Sequence, residues 1–367
     1  MPDNYHTLSS NSSDIEKIII YSAETIIFPN SESIETNLPK SLSIQTKISP
    51  ESFIAILPLG RVWADRFNSA VFTKNNLLVK DISTGSPELV VSSNNLCQSE
   101  FIDGTVAFLS TRWGYNTYYH WMLDIVSRFD LLARSGININ DIDRFVFNRT
   151  DGNYRQECLH ALGIPNEKMI ESQSIPHIQA KKIIVPSLPT LVDGGFRTHT
   201  WICQFLKNLF LPRKLTINAN SQAYPEKIYI SRSQTQYRQV INESEVIDVL
   251  SKLGFYVVCL ESLSVQEQAL YLYHANVVIS AHGAGLTNLV FCQVGTKVIE
   301  IFAPEYVTAC YKEISHICHL SYYYLFGDRF VESKDQFVKP KIHDSLRRNI
   351  LINVAKLKKI LKLVGIS

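Results

Sequence analysis

One strand-turn-helix pattern in the second half of the chain constrains its fold more than any other feature. Residues 277–280 read Val-Val-Ile-Ser and predict a buried strand of a parallel sheet. Residues 281–285 then read Ala-His-Gly-Ala-Gly, and the two glycines permit a tight turn and a close approach of the backbone to a ligand. Residues 286–291 can begin a helix, whose first N–H groups have no acceptor within the helix. The pattern therefore predicts a helix N-terminus that can bind an anionic group such as a diphosphate.

The same pattern is also satisfied by a strand-to-helix turn that binds nothing. The dinucleotide fingerprint Gly-x-Gly-x-x-Gly requires a third glycine, and this chain has Asn288 at that position. The elements on either side of the pattern therefore decide between the two interpretations.

Strand and helix patterns alternate from residue 105 to residue 326, which predicts parallel sheets. The predicted strands are residues 105–109, 144–147, 182–185, 227–231, 256–260, 277–280, 297–302 and 322–326. The predicted helices are residues 116–133, 154–162, 200–211, 243–253, 265–274 and 307–319. We therefore predict an α/β fold with two doubly wound, Rossmann-like domains and a cleft between them, with ligands at the carboxyl ends of the strands.

Changes in this pattern predict the domain bounds. The predicted parts are a β-rich lead-in to the N-terminal domain (1–104), the N-terminal domain (105–212), a polar linker (213–226), the C-terminal domain (227–328) and a basic amphipathic helix (344–364). The helix is expected to pack back on the N-terminal domain, and a membrane-surface helix is the alternative. The lead-in contains a predicted hairpin that turns at Asn75 and Asn76, because asparagine tolerates positive φ.

Composition excludes several classes of function. A net charge of +2 over 367 residues provides no general basic field for nucleic acid. No apolar run reaches the roughly 18 residues that span a membrane, and the N-terminus lacks the basic and apolar regions of a signal peptide. Seven cysteines occur singly, without a C-x-x-C pair, which favours buried thiols in a reducing compartment. We therefore expect a cytoplasmic protein that binds no nucleic acid and has no metal site.

Polar residues at the predicted strand ends of the second half are candidates for binding a ligand. Arg232 follows the strand at 227–231 and can reach a phosphate with its planar guanidinium; a salt bridge at the sheet edge is the alternative. Glu300 lies inside an apolar strand, so its carboxylate either binds a ligand hydroxyl or pairs with a core Arg or His. Asn242 can instead cap a helix. The candidate binding residues of this half are Ser231, Arg232, Arg238, Asn242, His282, Gly283, Ala284, Gly285, Asn288 and Glu300.

The predicted helix at 116–133 carries a second set of candidates. His120, Asp124 and Arg128 are spaced by four and form one stripe opposite the apolar face. At a cleft, Asp124 can act as a general base whose pKa is set by His120 or Arg128. The alternative is a solvated stripe with weak ion pairs. The dense aromatic residues here can stack on sugar rings or pack as core, and they are Trp113, Tyr115, Tyr118, Tyr119 and Trp121.

The motifs and their order along the chain resemble those of glycosyltransferase family 61. The resemblance covers roughly residues 105–328. It is carried by Tyr229-Ile-Ser-Arg232, Arg238, Asn242-Glu243, the stretch at 280–288, Val298-Ile-Glu-Ile-Phe302 with Pro304, and residues 118–124, which are similar to the family's His-x-x-x-Asp helix.

The resemblance implies the GT-B architecture, in which two Rossmann-like domains face each other. It also implies inversion at the anomeric carbon and no obligatory metal, and the sequence has no Asp-x-Asp motif near the glycine turn. The donor implied is a nucleotide sugar, with UDP as the expected nucleotide, and no other cofactor. The acceptor implied is a glycan or another hydroxyl compound. Because relatives of the secretory pathway carry a membrane anchor and this sequence predicts none, we expect a bacterial, cytoplasmic enzyme of the capsular polysaccharide type.

The resemblance assigns roles to the candidates. Asp124, or His120 in its place, is the expected base. Arg232 and the N–H groups near Gly283 and Gly285 are expected to stabilise the departing diphosphate, and Glu300 to bind donor hydroxyls. The residues expected to contact the acceptor are Trp113, Tyr115, Tyr119 and Arg128.

Two other functions are compatible with the same motifs. The first is a nucleotide-sugar-binding module without catalysis, and the second is a nucleotide-sugar epimerase, which would form product from the donor alone. The sequence leaves open the donor sugar, the acceptor, the oligomeric state and any membrane association through the acceptor.

Overall fold

Two compact units make up the chain in this computed structural model. Unit 1 comprises Met1–Thr25 and Ile48–Phe205, and unit 2 comprises Ile26–Lys47 and Leu206–Ser367. The structure describes residues 5–6, 14–29, 31–92, 97–115, 117–188, 191–192, 195–196, 198–212, 224–328 and 348–366.

The secondary structure alternates as the sequence predicts between residues 100 and 326. The strands are β1 Tyr5–His6, β2 Glu16–Tyr21, β3 Glu24–Ile27, β4 Glu32–Ser33, β5 Thr46–Ser49, β6 Ser52–Pro58, β7 Arg61–Ala64, β8 Ser69–Phe72, β9 Leu78–Val79, β10 Glu100–Phe108, β11 Arg144–Phe147, β12 Met169–Glu171, β13 His177–Pro186, β14 Leu191–Val192, β15 Gly195–Phe196, β16 Lys227–Ile230, β17 Tyr256–Val258, β18 Val277–Ala281, β19 Lys297–Phe302 and β20 Ser321–Phe326. The α-helices are α1 Pro87–Ser92, α2 Tyr118–His120, α3 Arg128–Arg134, α4 Asn153–Ala161, α5 Thr200–Phe210, α6 Glu243–Ser251, α7 Val265–His274, α8 Cys310–Ile317 and α9 Val354–Leu363. A π-helical turn, Trp121–Val126, joins α2 to α3, and short 3-10 helices include Leu260–Ser262 and Ala284–Phe291.

Unit 1 is built on a mixed sheet whose centre is parallel. Strands β13, β10, β11 and β12 lie side by side in this order and run parallel. Antiparallel strands β6 and β7 extend the sheet beyond β13, and their apolar side chains share a core with those of the parallel strands, including Leu57, Val106 and Ile183. Because the chain runs from β10 outwards to β12 and then returns to β13, the strand order reverses between β10 and β13. Ligands bind at such reversals in open α/β sheets.

The predicted hairpin in the lead-in is confirmed. Strands β8 and β9 pair antiparallel, with Phe72 opposite Leu78. Asn76 in the connecting turn has a φ of 65°, a left-handed conformation that asparagine adopts more readily than most residues.

Unit 2 is built on a parallel sheet of six strands in the order β17-β16-β18-β19-β20-β4. If strands β16 to β20 are numbered 1 to 5 along the chain, their order across the sheet is 2-1-3-4-5. This is a common doubly wound order. The strands are buried and rich in β-branched residues, as expected for a parallel sheet that is covered on both faces. The strand order reverses between β16 and β18.

Residues 26–47 belong to unit 2, although the prediction assigned them to the lead-in of the N-terminal domain. Strand β4 adds to the edge of the unit 2 sheet beside β20. Leu42 is fully buried against Phe302 and Tyr324. This edge strand, apolar contacts and hydrogen bonds hold the segment, among them the bond from Lys312 Nζ to the carbonyl of Leu42 at 2.7 Å. None of these produces a periodic pattern in the sequence.

The C-terminal helix packs in the core of unit 2, so the prediction that it packs on the N-terminal domain is wrong. Leu357, Ile360 and Leu361 of α9 share a cluster with Val246 and Leu250 of α6. The preceding segment is bonded to the same unit, because the N–H of Ile350 donates to the carbonyl of Gln239 at 2.8 Å. The amphipathic pattern predicts an apolar face but does not identify the surface that the face covers.

Two further predictions fall partly outside the described residues. The predicted linker, residues 213–226, lies outside the described residues except for 224–226, and residues 344–347 of the predicted C-terminal helix also lie outside them. Within the described segments, no helix has the length and apolar character needed to cross a bilayer.

Replacing Leu361 by Ala should destabilise the protein by about 2–5 kcal/mol, because it leaves a cavity in the unit 2 core. Leu363→Ala on the same helix is the matched control, since Leu363 is 48% exposed and its truncation should cost less than about 0.5 kcal/mol. Calorimetric melting measures both changes. Tryptophan fluorescence is unsuitable, because all four tryptophans belong to unit 1. Equal shifts for the two variants would contradict the placement of α9.

Candidate functional site

The reversal of strand order in unit 2 brings two predicted motifs to one point. Ser231 and Arg232 directly follow β16, and His282 and Gly283 directly follow β18. Strands β16 and β18 are paired in parallel, with Ile230 opposite Ser280. Their carboxyl ends therefore open at the position where doubly wound sheets bind ligands.

Gly283 is required because a guanidinium occupies the space that a side chain would fill. A Cβ atom built on Gly283 would lie 1.7 Å from Nη1 of Arg232 and 2.5 Å from its Cζ. The backbone of Gly283 is extended, so any residue could adopt its φ and ψ. The need for glycine is thus a need for room beside Arg232.

Arg232 is buried without an acidic partner. Its Nε donates to the carbonyl of Arg238 at 3.0 Å and its Nη2 to the carbonyl of Tyr237 at 2.8 Å. Burial, together with the nearby charge of Arg238, lowers the pKa of Arg232 to about 10, so the group stays protonated at neutral pH. In the described part of the chain, the guanidinium forms no ion pair and Nη1 has no hydrogen-bond acceptor. The predicted salt bridge is therefore not found there, and an anion is the partner that this guanidinium suits best.

Arg238 supplies a second cation from a strained backbone. Its φ is 57°, a left-handed conformation that costs about 1–2 kcal/mol for a residue with a side chain. Its guanidinium lies 5.6 Å from the ring centroid of Tyr306. The strain places the Arg238 carbonyl where it accepts from Arg232, so the two arginines are positioned together.

Glu300 is paired with His282 and Tyr322, and its expected role in binding donor hydroxyls stays a prediction. Glu300 is fully buried; its Oε1 lies 2.5 Å from Nδ1 of His282 and its Oε2 accepts from the hydroxyl of Tyr322 at 2.5 Å. Both oxygens are therefore occupied by the protein. Of the two alternatives that the sequence left open, the pairing with a core histidine is the one observed.

His282 is held as a neutral ring with one defined tautomer. The rings of Phe302, Tyr306 and Tyr311 surround it at centroid distances of 5.2–5.3 Å. Burial lowers the pKa of His282, although the Glu300 carboxylate opposes this shift. Because Nδ1 faces that carboxylate, the ring proton belongs on Nδ1, and Nε2 can accept a hydrogen bond.

Two asparagines that were predicted to bind a ligand stabilise the fold instead. Asn242 donates to the carbonyl of Ile352 at 2.8 Å and accepts from its N–H at 3.0 Å, which ties the C-terminal segment to the start of α6. Its side chain makes no capping bond to that helix. Asn288 is fully buried and donates to Oε1 of Gln268 at 2.7 Å. These contacts use the amide groups that a ligand would need.

The remaining predicted residues of unit 2 shape the turn. Ser231 is buried and its hydroxyl bonds to the hydroxyl of Ser233 at 3.0 Å. Ala284 begins a 3-10 helix rather than the predicted α-helix. A Cβ on Gly285 would lie 3.1 Å from Leu260, so this glycine allows close packing of the helix on its neighbour.

In unit 1, the predicted His-Asp pair forms on an irregular helix. Nδ1 of His120 lies 2.6 Å from Oδ2 of Asp124, and both residues are buried. The N–H of Ser127 donates to the carbonyl of Met122, five residues earlier, which is the π-helical bond. Single π-helical turns are frequent at functional sites. Burial of the pair excludes the solvated stripe that the sequence left as an alternative.

Arg128 is a structural residue, so the prediction that it binds an acceptor is corrected. It is 1% exposed, and its Nε donates to the Asp124 carbonyl at 2.6 Å. Its two terminal nitrogens donate to the carbonyls of Leu109 and Pro186, at the ends of β10 and β13. Burial lowers its pKa to about 9, against the opposing effect of Asp124. The guanidinium therefore fills the reversal point of the unit 1 sheet and joins it to the helix.

Two of the predicted aromatic acceptor contacts pack on His120. Trp113 stacks on the imidazole at a centroid distance of 5.3 Å, and Tyr119 meets it edge-on at 5.0 Å. Tyr115 instead contacts two guanidiniums, those of Arg66 and Arg149, at 5.3 and 5.4 Å from its ring centroid. The sequence prediction missed both arginines, because neither is near Tyr115 in the chain.

The sequence prediction also missed two tyrosines of the unit 2 site, Tyr311 and Tyr322. Tyr322 and Tyr324 alternate along β20, and a period of two places them on the face that carries Glu300 of the neighbouring strand. That alternation was a usable signal once the strand order was known. Tyr311 lies on α8, and its contact with His282 depends on how this helix packs.

Comparison with known proteins indicates one family. Residues 118–299 match the family model described as Glycosyltransferase 61. An EGF domain-specific O-linked N-acetylglucosamine transferase of Drosophila melanogaster is 30% identical over 154 residues, which cover 39% of this chain and 29% of that protein. Beta-1,2-xylosyltransferase RCN11 of Oryza sativa subsp. japonica is 36% identical over 90 residues, which cover 22% and 17%. The matched segments thus span less than a third of either relative.

Among solved structures, the bacterial iron-containing dodecameric glycosyltransferase TibC from enterotoxigenic E. coli covers 69% of this chain, and the match covers 75% of TibC. The identity is 11% and the TM-score is 0.26, so this likeness supports no argument about the fold.

Acidification should destabilise the protein partly through His282. A histidine whose folded pKa is lowered contributes stability that is fully present above its unfolded pKa of 6.5 and is lost as the pH falls below it. We therefore expect the melting temperature of His282→Asn to fall less than that of the wild type when the pH is lowered from 7 to 5. His160→Asn, at an exposed position on α4, is the control and should follow the wild type. A steeper acid dependence in His282→Asn would contradict the assignment.

Proposed function

This chain belongs to glycosyltransferase family 61 through residues 118–299, and we propose that it transfers a sugar from a nucleotide-sugar donor to a hydroxyl acceptor. We propose that the transfer inverts the anomeric carbon, in a single displacement that needs one base and one stabilised leaving group. The names of the two relatives specify different sugars, N-acetylglucosamine and xylose, so the proposal covers the reaction class and leaves the sugar open.

The proposed binding of the donor rests on Arg232, which is buried and protonated and places Nη1 against Gly283. Two N–H groups of this guanidinium are used by carbonyls, and Nη1 remains for a phosphate oxygen. Arg238 adds a second positive charge, and the 3-10 helix that begins at Ala284 adds unpaired N–H groups. This arrangement supports a nucleoside diphosphate as the leaving group, with UDP as the expected nucleotide.

The acceptor half rests on the His120–Asp124 pair. Because Asp124 is the more deeply buried of the two and faces Nδ1 of His120, we propose that Nε2 of His120 takes the acceptor proton. Asp124 then fixes the tautomer of the ring and stabilises the imidazolium, as the acid does in other His-Asp pairs. This assignment reverses the order in which the sequence ranked the two residues.

The proposed step is a substitution at the anomeric carbon. The acceptor oxygen loses its proton to His120 and forms a bond to this carbon, while the bond from the carbon to the diphosphate oxygen breaks. The electron pair leaves with the nucleoside diphosphate, and the Arg232 and Arg238 charges stabilise it. A fixed donor of this kind can be worth about 3 kcal/mol. Since arginines can supply this charge, we propose that transfer needs no metal.

Three parts of the proposal rest on the sequence and on its resemblance to the family. They are the GT-B architecture, the role in bacterial polysaccharide synthesis and the cytoplasmic location, and each stays a prediction. Two features support the predicted GT-B architecture. Unit 2 has a doubly wound parallel sheet, and the centre of the unit 1 sheet is parallel.

The experiment that tests the function is incubation with a panel of UDP-sugars and glycan acceptors, with EDTA present, followed by mass spectrometry. Transfer would give an acceptor heavier by one sugar, and NMR of the product would give the anomeric configuration. Product from the donor alone would favour an epimerase. UDP binding without any product would favour a binding module.

Replacing Asp124 by Asn should lower kcat about 10²–10⁴-fold, because His120 loses the partner that fixes its tautomer. Nucleotide affinity should not change, since Arg232 and Arg238 belong to unit 2. His120→Gln should lower kcat at least as much. Steady-state kinetics and UDP titration measure the two properties separately. Unchanged turnover in Asp124→Asn would remove this residue from the proposed mechanism.

Replacing Arg232 by Gln should weaken UDP binding by about 1.5–3 kcal/mol, which corresponds to roughly ten- to a hundredfold in Kd. Gly283→Ala should cause a similar loss although it keeps the charge, because the new Cβ displaces the guanidinium. Lys252→Gln removes an exposed charge of the same unit and is the control. Titration calorimetry measures all three. Wild-type affinity in both Arg232→Gln and Gly283→Ala would refute the donor site.

A further inference from the structure

A cluster of arginines stacked on aromatic rings lies beside the His120–Asp124 pair in unit 1. We propose that this cluster, formed by Arg66, Arg112, Arg149 and the rings of Trp113 and Tyr115, binds an anionic group of the acceptor. The group is a carboxylate, sulfate or phosphate carried by a saccharide. The proposal rests on the proposed function, since it describes the acceptor of that reaction.

The rings lie against the guanidiniums. Arg66 and Arg149 lie 5.3 and 5.4 Å from the ring centroid of Tyr115, and Arg112 lies 5.1 Å from that of Trp113. A guanidinium that stacks on a ring keeps its N–H edges free, and these edges fit the oxygens of an anion in pairs. The aromatic faces predicted to stack on a sugar therefore serve to orient cations.

The charges of this cluster are only partly compensated. Arg149 forms an ion pair with Asp151. Arg66 and Arg112 are exposed, and neither takes part in an ion pair within the ranges that the structure describes. An unpaired arginine on its own is ordinary on a surface, whereas two around one rigid loop favour a specific anionic ligand.

Hydrogen bonds to buried side chains hold the loop at residues 111–115, which carries the two rings. The N–H of Thr111 donates to Oδ1 of the fully buried Asn148 at 2.8 Å, and a Cβ on Gly114 would lie 2.5 Å from the same oxygen. Arg155 is buried and donates to the carbonyls of Tyr115 and Asp151, each at 2.9 Å. The buried arginine thus ties the backbone of Tyr115 to the backbone of Asp151, the ion-pair partner of Arg149.

The position of the cluster connects it to the proposed chemistry. Trp113 contacts both Arg112, at 5.1 Å from its ring centroid, and His120, on which it stacks at 5.3 Å. One side chain therefore lies between a cation of the cluster and the proposed base. A saccharide whose anionic group binds Arg112 would reach the imidazole within one or two sugar rings, which makes the acceptor the ligand that fits best.

Binding of matched saccharides tests the proposal without requiring transfer. The probes are 4-nitrophenyl β-D-glucuronide against 4-nitrophenyl β-D-glucoside, and glucose 6-phosphate against glucose, which separate a carboxylate from a phosphate. We expect the anionic member of at least one pair to bind the full chain at least tenfold more tightly, by ligand-observed NMR. The preference should shrink as salt rises, since exposed charges are screened.

Variants assign the preference to the cluster. The double variant Arg66→Gln, Arg112→Gln should abolish it, and the single variant Arg66→Gln should reduce it. The control is Arg144→Gln, an exposed arginine at the opposite end of β11 from Arg149, which should keep the wild-type preference. Melting temperatures of all variants should match, because the altered side chains are exposed.

Equal binding of the charged and neutral probes would overturn the proposal, and so would a preference that survives in the double variant. UDP titration of the same samples reports on unit 2 separately. Absence of the preference in a wild-type chain that binds UDP normally therefore counts against this inference alone, whereas absent UDP binding counts against the proposed function.

Discussion

The contact between the Arg232 guanidinium and the Gly283 backbone is the constraint on which the unit 2 site depends. It requires glycine at one strand end and arginine at the next, and it requires a left-handed backbone at Arg238 to provide an acceptor. The neighbouring His282 is fixed independently, by a buried carboxylate and three rings. The site is therefore rigid before any ligand arrives, which reduces the ordering cost of binding.

Each unit places a buried arginine where its strand order reverses, and the two arginines differ in one respect. Arg128 in unit 1 donates to three backbone carbonyls, so its hydrogen-bonding capacity is spent on joining two strands to a helix. Arg232 in unit 2 donates to two carbonyls and keeps one nitrogen beside a glycine. Similar burial thus gives a structural residue in one sheet and, in the other, a residue that keeps one nitrogen for the proposed anion.

The sequence was sufficient for elements whose signal is local and insufficient for partners that depend on packing. The strands at 144–147 and 297–302 were predicted residue for residue, because short apolar runs bounded by polar residues carry their own signal. The partner of Glu300 was left open, since it depends on the neighbouring strand's position. The burial of Arg128 and the docking of α9 could not be predicted either, because periodicity identifies an apolar face and not what covers it.

The π-helical turn at Trp121–Val126 has a consequence for comparing this chain with its relatives. Such a turn accommodates one more residue than regular α-helix, and each residue of α-helix corresponds to a rotation of about 100°. A relative that lacks the extra residue would carry His120 in register but every later side chain turned away from its position here. An alignment with such a relative should therefore open a one-residue gap in this helix, and an Asp matched without the gap would be assigned to the wrong side of the helix.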